Sequence, residues 1–339
     1  MRFSAVFTAL ASVALCHAGT FNGFTDAWSF DLADTQNPDW MSSLADNIPL
    51  SMLSIPGTHN SMTHKLKDDD LQGQNTPLDT QLNAGIRYFD ISVRCMITDI
   101  WVYHGGTFTS YNIEQVLSTL FDFLDNHPKE TVILRIRKGS LLDSQQNFLH
   151  FLTKHLVPGT PLGDRAVDRV FSKGTDGITA VPTLGEVRGK VFILQDFKTN
   201  IPGRYGLPWD SPAISSYNFK VTLGTILIKL KWRAVQAFIE AIPSTSRETL
   251  SITHTTVSAG AKPIEIAASH GRVEGLNKRL GDYLWNKNRM PASVPSTNRI
   301  GVVAMDFPGK FLVEYIINLN NIHQVSSPPL AGVAPGIRM

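Results

Sequence analysis

The chain has 339 residues, of which 42% are hydrophobic and 18% are charged, and its formal net charge is +2 at pH 7. This length is enough for one large domain with a substantial hydrophobic core. The near-neutral charge argues against a nucleic-acid partner, because a nucleic-acid binder would carry a clustered basic excess. The sequence also lacks zinc-type cysteine and histidine spacing, a Walker loop and a dinucleotide-binding glycine fingerprint. We therefore predict no cofactor.

The first 18 residues have the features of a secretory signal peptide. Arg2 provides a positive start, residues 5–15 form a short apolar core, and Ala18 ends a small-residue cleavage context. The apolar run is shorter than the ~20 residues that a membrane-spanning helix needs. The alternative is a buried first helix. We predict a signal peptide at residues 1–18, and hence a secreted protein without a transmembrane segment.

The rest of the chain is predicted to form one domain. No internal repeat is evident, so residues 19–323 are assigned to a single domain that is expected to be monomeric. The segment 324–339 ends in glycine, alanine and proline and is predicted to be a disordered tail.

Short apolar runs that stop at glycine, proline or serine alternate with helical patterns along the chain. The predicted strands are residues 52–55, 86–93, 100–103, 131–136, 190–194, 250–253 and 300–305. Helices are predicted at 113–126 and 145–156, where apolar residues recur with the spacing of one helical face. This alternation, with reactive residues at the strand ends, is typical of an α/β fold and predicts a distorted (β/α)8 TIM barrel.

Two further segments are distinguished by their composition. Residues 199–218 are rich in proline, glycine and serine and are predicted to form a long loop. Residues 224–242 are strongly apolar but carry Lys229, Lys231 and Arg233, so they form either an outer helix of the barrel or a helix at a lipid surface.

The alternation of side chains along a strand predicts which residues face the barrel interior. The apolar residues of one face must contact the helices, so the charged residues of the opposite face point into the barrel. This charged set is predicted to meet at the barrel mouth and comprises His59, Asp90, Arg94, His104, Arg135, Arg137 and Asp306. Because unpaired buried charge is costly, the set implies mutual pairing or an anionic ligand. Taken singly, each histidine has a structural alternative, and Arg135 can simply pair with Asp90.

These residue types indicate acid–base chemistry on a phosphodiester. Histidine titrates near neutrality, so one ring can accept a proton while a second donates one. A carboxylate such as Asp306 beside His59 would orient the ring and stabilise its charged form. Guanidinium groups match the charge and geometry of phosphate oxygens, and phosphoryl transfer depends chiefly on positioning and charge stabilisation.

Six segments resemble, in order, those of phosphatidylinositol-specific phospholipases C of the secreted, single-domain bacterial and fungal type. They are Pro-Gly-Thr-His-Asn-Ser at 56–61, Gly-Ile-Arg-Tyr-Phe-Asp-Ile at 85–91, Tyr-His-Gly at 103–105, Glu-Thr-Val-Ile-Leu at 130–134, Gly-Lys-Val at 189–191 and Met-Asp-Phe at 305–307. The resemblance implies a TIM barrel that cleaves the bond between diacylglycerol and phosphate by attack of the inositol 2-hydroxyl, giving a cyclic inositol phosphate. It implies that His59 is the general base, Asp306 its partner and His104 the general acid.

The chain departs from this family's pattern at two catalytic positions. Asn60 and Ser92 stand where the metal-free bacterial enzymes have aspartate and a phosphate-neutralising arginine. Calcium-dependent relatives have the asparagine but add acidic residues near positions 92 and 137. Calcium needs six or more oxygen ligands, and Asn60, Asp90 and Ser92 beside Arg137 fall short, so no metal ion is predicted. Instead, Arg94, about 6–7 Å further along the same strand face, is predicted to neutralise the phosphate.

The resemblance also implies contacts with the inositol ring at Arg137 or Lys138, Asp196 and Phe219. Asp196 and Phe219 are not the family's usual basic and tyrosyl residues. The sequence therefore supports phosphodiester cleavage of a phospholipid at a membrane surface more strongly than a preference for inositol. Two alternatives stay open: a catalytically degenerate barrel that binds lipid head groups or glycans, and a metal-dependent phosphodiesterase.

Overall fold

The computed structural model describes residues 24, 26–218, 228–256, 261–289 and 299–325. The predicted signal peptide, most of the predicted tail and Phe219 lie outside these residues. None of the helices in these ranges is both long enough and apolar enough to cross a membrane.

The described strands form one curved sheet with an antiparallel hairpin attached to it. The strands are β1 (Ile55–Thr58), β2 (Tyr88–Cys95), β3 (Ile100–His104), β4 (Thr107–Asn112), β5 (Val132–Lys138), β6 (Val191–Asp196), β7 (Leu207–Pro208), β8 (Ile214–Tyr217), β9 (Leu250–His254) and β10 (Val302–Met305). The sheet order is β7-β6-β5-β2-β1-β10-β9-β8, and all seven neighbouring pairs are parallel.

This order is that of a (β/α)8 barrel opened at one seam. Read as a ring from β1, the sheet strands follow one another in chain order, and β3 and β4 stand outside the ring. The seam lies between β7 and β8, which do not pair with each other within the described part of the chain. Only residues 209–213 connect them, far fewer than the dozen or so that a crossover between paired parallel strands needs. The predicted distorted TIM barrel is therefore confirmed.

Helices cover the outside of the sheet. They are α1 (Leu78–Ala84), α2 (Ile113–Asn126), α3 (Gln145–Leu156), α4 (Pro161–Arg169), α5 (Leu184–Val187), α6 (Ile228–Ala241), α7 (Pro263–Ala267), α8 (Leu276–Arg289) and α9 (Lys310–Asn318). Helices α2 and α3 have the predicted bounds, and α2 begins at a capping box between Asn112 and Gln115. The described part of the predicted 224–242 helix, α6, buries Val235 and Ile239 against the sheet, which favours its interpretation as a barrel helix.

The predicted alternation of inward and outward residues is observed. Outward residues of β2 and β5, among them Phe89, Ile91 and Leu134, share one apolar cluster with α2 and α3. Inward residues such as Ile133 and Ile252 form a second cluster that fills the lower part of the barrel. Each such side chain contributes roughly 1.5–3 kcal/mol of burial free energy. On β5 the apolar filling includes Ile133, and Arg135 and Arg137 follow it on the same face of the strand.

The predicted strand 100–103 is not a strand of the barrel. It forms β3, which pairs antiparallel with β2 and then with β4. The reversal occurs in a tight turn in which the Met96 amide donates to the Asp99 carbonyl at 2.8 Å. The apolar pattern of these residues predicts a strand but carries no information on its direction. The hairpin nevertheless keeps His104 at the mouth, because β2 extends beyond the sheet.

Two smaller differences concern strand bounds. The first barrel strand begins at Ile55 instead of residue 52, because Leu50–Met52 forms a 3-10 turn. The predicted loop at 199–218 contains the short strands β7 and β8.

A fully buried ion pair joins the lower ends of β2 and β5. Arg87 Nε donates to Glu130 Oε2 at 2.8 Å, and both side chains are inaccessible to solvent. Glu130 Oε1 also accepts from the Met41 amide, and Arg87 Nη2 donates to the Pro38 carbonyl. Burial raises the pKa of Glu130 and lowers the pKa of Arg87, so desolvation outweighs their attraction.

Glu130→Ala is expected to lower the free energy of unfolding by about 3–5 kcal/mol, because it leaves the Arg87 charge buried without a partner. Urea denaturation followed by circular dichroism measures this loss. The matched control is the double variant Arg87→Met/Glu130→Met, which removes both charges and should lose much less. Equal losses in the two proteins would contradict a penalty from unpaired charge.

Candidate active site

His59 and Asp306 meet where two neighbouring strands end. They follow β1 and β10, which run in register with Thr58 opposite Met305. His59 Nδ1 lies 3.1 Å from Asp306 Oδ1. The Gln74 side-chain amide donates to the carbonyls of both His59 and Met305, which holds the two strand ends together. Asp306 is buried, and burial raises the pKa of its carboxyl group. The pair has the geometry of an imidazole oriented by a carboxylate.

The turn after β1 positions the His59 ring. Asn60 has a φ of 45°, a left-handed conformation that asparagine adopts more readily than most residues. This conformation brings its Nδ2 to 3.2 and 3.1 Å from the two ring nitrogens of His59. The Ser61 hydroxyl donates to the Thr58 carbonyl and accepts from the Asp90 amide, so the turn is also tied to β2.

His104 lies across the mouth from His59. The two ring centroids are 6.5 Å apart and the rings are nearly perpendicular. Burial, and then the neighbouring charges of His59 and Arg137, lower the pKa of His104 to about 4. The ring is therefore neutral at neutral pH unless an anion lies beside it. A phosphodiester between the two rings would supply that negative charge and favour the protonated form.

Asp90, Arg135 and Asp196 form an internal brace. Arg135 donates to Asp90 Oδ2 at 3.0 Å and to Asp196 Oδ2 at 2.7 Å. Its guanidinium carbon also lies 3.7 Å from the centroid of the Trp209 ring. Burial opposes ionisation of Asp90, but the charge of Arg135 prevails and lowers the pKa of Asp90 to about 2. The alternative that pairs Arg135 with Asp90 is therefore confirmed, and Asp196, expected to contact inositol, is engaged in the same brace.

The two remaining arginines differ in their contacts. Arg94 Nη2 lies 3.6 Å from Asp143 Oδ1, and its guanidinium carbon lies 5.3 Å from the Tyr103 ring centroid. Arg137 is half-buried opposite Ser92 on the adjacent strand, and its side chain makes no hydrogen bond or ion pair with any other described residue. It is close enough to lower the pKa values of Asp90 and His104. Arg94 thus has an acidic partner, whereas no described residue pairs with the Arg137 side chain.

Lys138, the alternative to Arg137 for a contact with inositol, is directed to a loop. Its Nζ donates to the Asp143 carbonyl at 2.6 Å. The side chain therefore helps to hold the segment after β5 against the end of β2.

One residue at the site was missed in the sequence. His254 ends β9, is fully buried, and stacks edge-on against His59 with centroids 5.6 Å apart. The strand predicted from the sequence ends at residue 253, one residue before His254. The sequence contains a signal for this position, because side chains two residues apart on a strand point to the same face. Ile252 faces the barrel interior, so a strand extended by one residue would place His254 there as well. His59, Asp90 and His254 each have a donor atom within 4.8 Å of the other two, so they could hold a metal ion.

The chain is similar to known proteins in both sequence and structure. Residues 47–196 match the family described as phosphatidylinositol-specific phospholipase C, X domain. A 1-phosphatidylinositol phosphodiesterase of Listeria monocytogenes is 29% identical over 301 residues, which cover 84% of this chain and 85% of the relative. A protein of the same name from Staphylococcus aureus is 25% identical over 221 residues, covering 61% and 68%.

A solved structure shows the same relationship. The phosphatidylinositol-specific phospholipase C of L. monocytogenes superposes with a TM-score of 0.69 at 25% sequence identity, covering 84% of this chain and 98% of that one. The resemblance predicted from the sequence motifs is therefore confirmed.

Proposed function

Residues 47–196 match the X domain of the phosphatidylinositol-specific phospholipase C family, and from this premise we propose a function. We propose that this chain cleaves phosphatidylinositol. The products are diacylglycerol and a cyclic inositol phosphate. The observation that carries the proposal is the His59–Asp306 pair facing His104 across the barrel mouth.

The reaction is an internal displacement at phosphorus. His59 accepts the proton of the inositol 2-hydroxyl as that oxygen attacks the phosphorus. The bond from phosphorus to the diacylglycerol oxygen breaks, and His104 donates a proton to that oxygen. Asp306 stabilises the charged His59 ring that results. Because nucleophile and phosphorus belong to one molecule, the step avoids the entropy cost of bringing a second reactant into place.

Arg137 is the cation proposed to stabilise the negative charge on the phosphoryl oxygens. It stands in register with Ser92, so the guanidinium that position 92 lacks has a proposed replacement on the adjacent strand. This arrangement supports an active enzyme over the degenerate barrel suggested by Asn60 and Ser92.

The rim beside the site supports action at a lipid surface. Three aliphatic side chains form this rim patch: Ile97, Leu141 and Leu142, which are 94%, 99% and 95% exposed. Ile97 lies in the turn between β2 and β3, and the leucines lie in the segment after β5. Asp143 joins the two segments by accepting from the Cys95 amide at 2.9 Å. Clustered exposed apolar side chains at a site entrance are typical of an interaction surface, and a bilayer is the surface that holds this substrate.

Changing all three rim-patch residues to serine is expected to weaken binding to phosphatidylinositol-containing vesicles by at least about tenfold, since burying each side chain yields roughly 1.5–3 kcal/mol. Co-sedimentation with vesicles measures binding, and turnover of a short-chain, monomeric substrate should stay near wild type. Val167→Ser on α4, where the side chain is 56% exposed, is the matched control. Vesicle binding that is equal in all three proteins would contradict the assignment.

The proposed function is tested directly with phosphatidylinositol in the presence of a chelator. Phosphorus NMR should show cyclic inositol phosphate, whereas a metal-dependent phosphodiesterase would be inactive under these conditions. Head-group binding without any product would instead favour the degenerate barrel.

The basic and apolar pattern of residues 1–18 supports export, so the enzyme is proposed to act outside the cell.

A further inference from the structure

The floor of the active site contains donor atoms with unused bonding capacity. His254 is fully buried, and neither of its ring nitrogens has a hydrogen-bond partner in the described part of the chain. Asp90 Oδ1 is likewise unpartnered there, although Asp90 is only 1% exposed. Buried polar atoms are almost always paired, so two such groups side by side call for a ligand. The proposed reaction gives His254 no role.

We propose that His59, Asp90 and His254 bind a zinc-class transition-metal ion. Two imidazoles and one carboxylate are the protein ligands of open zinc sites, in which a fourth position is left for water or substrate. Their donor atoms lie within 4.8 Å of one another. Tetrahedral zinc with bonds of about 2.0–2.1 Å needs donors about 3.3 Å apart. Small rotations of the three side chains would bring the donor atoms from their present separations to the distance that zinc needs. The Asn60 amide would also have to move away from the His59 ring.

The surrounding contacts orient His59 and Asp90 for metal binding. The Asp306 carboxylate at His59 Nδ1 is the kind of partner that orients metal-binding histidines. Arg135 holds Asp90 Oδ2, which leaves Oδ1 as the available ligand atom. Arg135 also forms an ion pair with Asp196, and the negative charge of Asp196 reduces the repulsion between Arg135 and a bound metal ion.

The chemistry of the donors selects the ion. Imidazole-rich sites prefer zinc, copper or nickel, whereas calcium and magnesium prefer oxygen ligands. The sequence predicts no metal ion because Asn60, Asp90 and Ser92 cannot satisfy calcium, and a zinc site that uses His254 departs from that prediction. Zinc binding is therefore a different property of the same pocket.

Occupancy of this site would inhibit catalysis. An ion bound to His59 prevents that ring from accepting the proton of the attacking hydroxyl. The inhibition rests on the proposed function, whereas the binding itself does not.

Calorimetric titration of the chelator-treated chain with Zn²⁺, and visible absorption of the Co²⁺ form, test the site. We expect one ion per chain and the intense absorption of tetrahedral cobalt. His254→Gln should weaken binding by at least about tenfold. His127→Gln is the matched control, because His127 forms a surface pair with Asp39 at 2.8 Å, and it should bind like the wild type. Circular dichroism verifies folding, with His254→Asn as a second variant.

The outcomes separate the two proposals. Absence of binding, or equal affinity in the wild type and both His254 variants, would overturn the metal site. Zinc should also inhibit cleavage of phosphatidylinositol, and excess chelator should restore it; binding without inhibition of an active enzyme would place the ion elsewhere and overturn the site as well. Binding by a chain that cleaves no phosphatidylinositol would leave the site standing and contradict the proposed function.

Discussion

His59→Ala and His104→Ala should each reduce the release of cyclic inositol phosphate by about 10²–10⁴-fold, the usual contribution of a positioned general acid or base. Each change removes one of the two proton transfers that the reaction requires. Phosphorus NMR with phosphatidylinositol in chelator measures the rate. The surface variant His127→Ala is the control for loss of a histidine, since His127 pairs with Asp39 away from the site.

The leaving group distinguishes the two histidines. A substrate analogue whose leaving group is an acidic phenol needs little help from a general acid, so it should recover most of its rate in His104→Ala. The same analogue should stay slow in His59→Ala, because removal of the proton from the attacking hydroxyl is still required. Near-normal cleavage of phosphatidylinositol by either variant, or equal recovery in both, would contradict the proposed roles.

Arg137→Ala should lower turnover by about 10²–10³-fold, comparable to losing one donor to a developing oxyanion. The Arg137 side chain has no competing partner in the described structure, is close enough to lower the pKa of His104, and lies opposite Ser92. Arg94→Ala is the matched variant and should have a smaller effect, because Asp143 and Tyr103 hold the Arg94 side chain. Single-turnover rates on a monomeric substrate measure both losses without interference from vesicle binding.

The relative size of the two losses of turnover shows which arginine stabilises the phosphate. If Arg94→Ala is the more damaging change while thermal unfolding stays unaltered, the prediction made from the sequence is correct and Arg137 is secondary. A small loss in both variants would mean that another group stabilises the phosphate.

The local spacing of apolar residues predicted several helices and the inward faces of the strands. Helices α2 and α3 have their predicted bounds because the repeat of apolar residues is a property of neighbouring residues. Alternation also identified the inward face of β2 and β5, since successive side chains on a strand must point to opposite sides. His254 lies one residue beyond the predicted end of its strand, because local spacing defines the middle of a strand better than its ends.

The sequence by itself determined the strand and helix pattern and the charged residues at the strand ends, because both follow from local spacing. Only the tertiary structure decided which charges pair. Arg135 reaches Asp90 and Asp196, which are 45 and 61 residues away along the chain, because the register of β2, β5 and β6 brings them together. The seam between β7 and β8 and the antiparallel β3 likewise depend on strand direction and connection, which composition and periodicity do not encode.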